Sequence, residues 1–149
     1  MDISTFATDA FAYGEMILKD PRTGDPMLSA ATGEPVTFRI GGPDCKEAKE
    51  HTRKMQKLAI ASAADGQKLT PEAIERRATA GLAAVTIQIT GLTWGEKPID
   101  ASDKDVVVSL FNKVSFIRDQ VEAFHVKRAN FLPPLSAASS DGPSGNDDR

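Results

Sequence analysis

At 149 residues the chain has the length of one domain with short appendages. Its 40% hydrophobic and 26% charged residues are ordinary globular values, which exclude a wholly disordered or membrane-dominated chain. The net charge of −3 argues against a protein that coats nucleic acid by bulk electrostatics, and the single cysteine, Cys45, excludes an intramolecular disulfide and a multi-cysteine zinc site. Met1-Asp2-Ile3-Ser4 shows no basic stretch followed by an apolar run, so no secretory signal is expected and a cytoplasmic location is.

Residues 1–10 are read as a flexible N-terminus, and residues 11–42 as strand and turn. Phe11 to Leu18 is a candidate strand that stops at Lys19-Asp20-Pro21. Asp20-Pro21-Arg22-Thr23-Gly24-Asp25-Pro26 carries Pro, Gly and Asp where a tight reversal needs them, and Ala31-Thr32-Gly33-Glu34-Pro35 predicts a second reversal. Val36, Phe38 and Ile40 then alternate with Thr37 and Arg39, the pattern of a half-buried strand. So short a sheet must rest its apolar face on the helices that follow.

Gly41-Gly42 ends the strand, and residues 43–131 read as a helical domain. Asp44 with Glu47 predicts a capped helix start, after which Cys45, Ala48, Thr52, Met55, Ala59 and Ser62 form a stripe at alternating spacings of three and four. This helix should end near Ala64-Asp65-Gly66. Thr70-Pro71 opens a second helix, with Thr70 as N-cap and Pro71 at the first helical position. Ile74, Ala78, Leu82, Val85 and Ile89 keep one helical register, so helix is favoured as far as Ile89, although Val85 to Thr90 also alternates like a strand. Ala78 to Gly95 carries no charge, but its threonines and glycines favour a buried helix over a membrane span. A connector with Trp94 leads to Ser102 and Asp105, read as the cap of a last helix running to about Ala129.

That last helix has the cleanest pattern in the chain. Val107, Leu110, Val114, Ile117, Val121 and Phe124 form a seam of large apolar side chains at alternating spacings of three and four. Such a seam is ordinarily intramolecular core. The small, polar-tinged stripe on the first helix leaves an apparent surplus, however, which predicts an oligomer contact or a groove for a partner helix, joined by Leu82, Val85 and Ile89. Half of the residues from Leu132 to Arg149 are Pro, Ser or Gly, and this segment is expected to be disordered. The predicted class is therefore α+β, mostly α: a short N-terminal hairpin-like β segment packed on a three-helix C-terminal bundle, with a disordered tail over 132–149.

The chemistry-bearing residues do not assemble into a catalytic pattern. His51 and His125 stand far apart, without H-x-x-x-H or H-E-x-x-H spacing, and no Gly-rich phosphate loop occurs. Cys45 reads as a small apolar residue in a first helical turn, and His125 as a cation suited to a helix C-terminus. No catalytic residue, metal ligand or cofactor is predicted. Lys46, Lys49, Arg53, Lys54 and Lys57 make the first helix basic; without interleaved aromatics or a helix-turn-helix pattern, a solvated face is favoured over a nucleic-acid site. An acidic partner protein remains compatible with it.

The order of segments carries a resemblance. Ala83-Ala84-Val85-Thr86 through Thr90-Gly91-Leu92, Gly95-Glu96-Lys97-Pro98-Ile99, Ser102, Ser115-Phe116-Ile117-Arg118-Asp119-Gln120-Val121 and Lys127-Arg128-Ala129-Asn130-Phe131-Leu132 together resemble tail assembly chaperones of long-tailed bacteriophages and related prophages. The likeness covers roughly residues 12–132, and its most specific part is Arg118, Gln120, Arg128, Asn130 and Phe131. The chain departs from the family pattern where Ile87-Gln88-Ile89 replaces a Trp before the Gly-Leu element, and where Pro98-Ile99-Asp100-Ala101 replaces an aromatic or Pro-Phe pair.

The resemblance implies a non-enzymatic helper in the host cytoplasm, absent from the finished virion, that binds the tape measure protein and supports tail tube polymerisation. It further implies tail tube protein and a longer frameshifted form of the same chain as partners, with homo-oligomers compatible and neither nucleic acid nor membrane involved. Two other readings stand beside it: a structural virion subunit, such as a head–tail connector or tail terminator, and a small DNA-binding regulator using Lys46 to Lys57.

Overall fold

The computed structural model describes residues 2–4, 11–66 and 69–132. The disordered tail and most of the flexible N-terminus expected from sequence lie outside the described residues. The fold is α+β and mostly α: four helices and a small three-stranded antiparallel sheet.

Strands β1 (Tyr13–Ile17) and β2 (Thr37–Gly41) pair antiparallel, Tyr13 opposite Gly41 and Ile17 opposite Thr37. The alternation in β2 is realised as expected: Val36, Phe38 and Ile40 are buried and Arg39 is exposed. Between the strands the chain makes the two predicted reversals. The first closes when Gly24 N–H donates to the Asp20 carbonyl (2.7 Å), with Gly24 at φ +80°, where a side chain would be strained. Met27 then runs between the two strands' ends, its N–H donating to Leu18 and its carbonyl accepting from Val36 (2.9 and 2.8 Å).

Helices α1 (Lys46–Ala64) and α2 (Pro71–Ala84) follow as an antiparallel hairpin. Thr70 caps α2 as predicted, accepting from the Ala73 N–H (3.1 Å). The cap of α1 is Cys45, whose Sγ accepts from the Ala48 N–H (3.4 Å), where sequence pointed to Asp44. The small-residue stripe of α1 buries no member within the helix, so it is not a core face.

Two expectations are corrected after α2. The segment expected to prolong this helix is strand β3 (Thr86–Thr90), which pairs with the free side of β2, so the sheet order is β1-β2-β3. Five of the six residues from Val85 to Thr90 are β-branched, and β2's second edge supplies the hydrogen bonds that a helix would otherwise make. The switch is made where Thr86 Oγ1 donates back to the Leu82 carbonyl (2.8 Å) and the Gly41 N–H donates to the Val85 carbonyl (2.7 Å). One row of side chains, Met16, Phe38 and Ile89, then crosses all three strands on the core face.

A small hairpin, β4 (Thr93–Trp94) and β5 (Lys97–Pro98), leads to the second correction. The single last helix is two, α3 (Lys104–Lys113) and α4 (Ser115–Val126), broken at Val114 with φ −126° and ψ 82°. A straight helix over both would be about 35 Å long, the span of a small domain, and its seam could not stay in one core. The break lets α3 pack on α2 while α4 packs on α2 and β2. The bundle therefore has four helices, not three. Asp103, not Ser102, caps α3, accepting from the Val106 N–H (3.4 Å), while Ser102 turns back to Asp100. A 3₁₀ turn, Arg128–Phe131, follows α4. Among the described residues no helix is long and apolar enough to cross a membrane.

Candidate functional site

The apolar seam lies inside. Val107 and Val121 are wholly buried, Leu110 and Ile117 nearly so, and Val114 and Phe124 are half-buried against the same cluster as Phe38, Ile40 and Leu18. The seam is therefore the intramolecular core that such spacing ordinarily makes, and the oligomer contact or partner groove drawn from an apparent surplus is corrected. The surplus inferred from sequence is taken up by the sheet, which gained a third strand and with it more apolar surface to cover.

Four of the five residues of the family-like motif contact distant segments, and Asn130 makes a local bond. Gln120, on α4, replaces a strand partner for Lys19: its Nε2 donates to the Lys19 carbonyl (2.7 Å) and its Oε1 accepts from the Lys19 N–H (2.9 Å). Arg118, two residues earlier and so on nearly the opposite side of α4, donates to both carboxylate oxygens of Glu75 on α2 (3.1 Å each). Its Nε is buried without a hydrogen-bond partner among the described residues. Arg128 pairs with Asp44 ahead of α1 (2.7 Å), an exposed contact worth little in stability.

Asn130 Nδ2 donates to the Phe124 carbonyl (2.9 Å), satisfying one of the orphan acceptors at the end of α4. Phe131 stands edge-on to Phe124 with ring centroids 5.5 Å apart and lies on Gly42, where a Cβ would sit 2.7 Å from the ring. Gly42 is thus required by this close approach. Together these residues bind the N-terminal β segment to α4 and α4 to the helical hairpin.

The two histidines, separate in sequence, line one hollow of about 200 Å³ with Glu122 where α1, α2 and α4 meet. His51 rests on Gly81, and burial pushes its imidazole below the usual value, against the opposing pull of the Arg77 backbone. His125 stands in the last turn of α4, as expected, and its Nδ1 donates to the Gly41 carbonyl (2.9 Å), tying α4 to β2. No group of three His, Cys, Asp or Glu among the described residues could hold a metal ion. Cys45 is buried, and burial raises its thiol. Sequence reasoning had no means of placing both histidines at one hollow, since that depends on how three helices dock.

One polar cluster was not visible in the sequence at all. Tyr13 Oη donates to Glu47 (2.7 Å) while the Arg39 guanidinium lies 4.9 Å from the ring centre. The hydrogen bond to Glu47 pushes the Tyr13 phenol up to about 12. Lys104 reaches the Thr86 carbonyl (2.7 Å), and burial lowers its ammonium against the opposing pull of Glu47.

Two surfaces stay open. A cleft of about 380 Å³ between the β4–β5 hairpin and α3 is walled by Trp94, over whose ring Lys113 Nζ sits at 5.3 Å, and by Val106 and Leu110. The second is the outer part of the α1–α2 hairpin, which carries the basic residues noted in the sequence and the exposed Leu58, Ile60 and Ile74. No family model, curated protein or solved structure matches this chain.

Proposed function

We propose that this chain is a tail assembly chaperone of a long-tailed bacteriophage or prophage, acting by reversible binding and without catalysis. It binds the tape measure protein in the host cytoplasm, keeps it soluble, yields it to polymerising tail tube protein and is left out of the virion. A longer frameshifted form of the chain and tail tube protein complete its set of partners. The observation that carries this reading is the motif at Arg118, Gln120, Arg128, Asn130 and Phe131: four of these five residues contact segments distant in the chain, and Asn130 bonds the end of α4. A likeness of that kind is a likeness of fold-defining residues, which recur together only when the same parts must be held together.

The physics of the task agrees. A tape measure protein is a long amphipathic helical chain, and a small domain with exposed apolar and charged helical surface can cover it repeatedly through individually weak contacts. Co-expression with its tape measure client tests the proposal. The client is expected to stay soluble and to co-purify with this chain, and to precipitate without it. A client equally soluble alone, with no co-purification, would overturn the proposal.

A further inference from the structure

From Arg53 to Ala78, across the second half of α1, the connecting turn and most of α2, no described side chain is buried. This is an arm of two helices extending past the body, where a stable helical arrangement ordinarily has a third layer. His51 resting on Gly81 sets the register of the antiparallel pair. Seven residues further along each helix, Leu58 comes level with Ile74, and both are about half exposed, at 43% and 53%. Ile60 projects from the opposite side of α1 at 71%, next to Arg53 on the helical wheel, whereas Lys54 lies beside Leu58. The arm thus presents apolar side chains that the body leaves uncovered.

Its charge says what would cover them. Arg53, Lys54, Lys57, Arg76 and Arg77 outnumber Asp65, Glu72 and Glu75, while the chain as a whole carries −3. Glu75 is moreover engaged by Arg118. The arm is the basic pole of an acidic protein, so two arms repel each other and an acidic helix is attracted.

We propose that the arm formed by α1 and α2 between Arg53 and Ala78 docks an acidic amphipathic helix of another protein, its apolar stripe on Leu58 and Ile74 and its carboxylates beside Lys54 and Lys57. For the identity of that protein as a long helical client the inference rests on the function proposed above; the charge and apolar pattern of the docking face do not.

The test uses the full chain and two synthetic four-heptad peptides with leucine at the a and d positions, one with glutamate and one with lysine at e and g. At ~100 mM salt, where surface charges still act over about 10 Å, the glutamate peptide is expected to bind and gain helicity while the lysine peptide does not. The double variant Lys54→Glu/Lys57→Glu should weaken binding about tenfold, the sum of two modest charge contributions. Leu58→Ser/Ile74→Ser should weaken it similarly. Circular dichroism should show all variants folded, since none of these four residues is buried.

Equal binding of both peptides, or variants that bind like the parent, would overturn the proposal. So would a doubled mass in solution that Lys54→Glu/Lys57→Glu abolishes, which would assign the arm to a second copy. Binding of a DNA duplex in place of the peptide, falling steeply with salt, would overturn it in favour of nucleic acid. A client kept soluble by the Lys54→Glu/Lys57→Glu chain would remove the arm from the mechanism while leaving the proposed function standing.

Discussion

Gln120 and Lys19 are 101 positions apart, yet one carboxamide satisfies both backbone groups of Lys19. Gln120→Ala leaves that N–H and carbonyl to find water at the rim of the sheet, and is expected to cost about 1 kcal/mol in chemical denaturation. Gly42→Ala drives a Cβ to 2.7 Å from the Phe131 ring, which cannot retreat without leaving Phe124. It should cost about 1–3 kcal/mol by overpacking, read as a lower melting temperature.

Tyr13 is the only tyrosine, so ultraviolet titration reports it alone. Its folded value of about 12 lies above the ordinary 10, which means that the fold favours the neutral phenol. The stability this contributes is fully present below pH 10 and is lost as pH rises from 10 to 12. Phenolate absorbance in the folded protein should therefore have its midpoint well above 10, and Glu47→Gln should bring that midpoint down. A midpoint near 10 in the unaltered chain would show that the bond to Glu47 is not made in solution.

The six residues from Val85 to Thr90 fit a helical stripe and a strand alternation equally well. Neighbours in sequence cannot decide between them, because the deciding partner is the open edge of β2, almost fifty residues earlier. The break at Val114 was hidden for a related reason: the seam keeps its alternating spacing through the break, since α3 and α4 both turn their apolar faces to one core. Side-chain periodicity records which face is buried and is silent about axis direction.

The break also separates two adjacent seam positions in energy. Ile117→Ala, inside the core, should cost about 3 kcal/mol. Val114→Ala, half-buried at the non-helical junction, should cost about 1 kcal/mol, because less packing is lost there. Equal losses at the two positions would mean that α3 and α4 behave as one continuous helix.

The body and the arm differ in how they are held. The body encloses one contiguous cluster spanning the sheet, α2, α3 and α4, whereas the arm is joined to it through the base of the hairpin and the Glu75–Arg118 pair. Hydrogen exchange should accordingly find amides of β2 and α4 protected to near the global unfolding free energy, and those of α1 beyond Arg53 opening much more readily. Uniform protection along α1 would contradict that division.

Composition, turn chemistry and alternation were enough to read the α+β class, both reversals before β2, the burial of Val36, Phe38 and Ile40, and the Thr70 cap, because each depends on residues a few positions apart. The third strand, the fourth helix, the hollow shared by His51 and His125 and the enclosure of the apolar seam depend on docking between distant segments. The seam shows the difference most directly: its spacing announces a surface that must be covered, and only the packing of β1, β2 and β3 beneath α3 and α4 determines that the cover comes from the same chain. Conversely, the basic residues of α1 were plain from the start, but their place on an arm without a buried side chain follows from where the rest of the core closes.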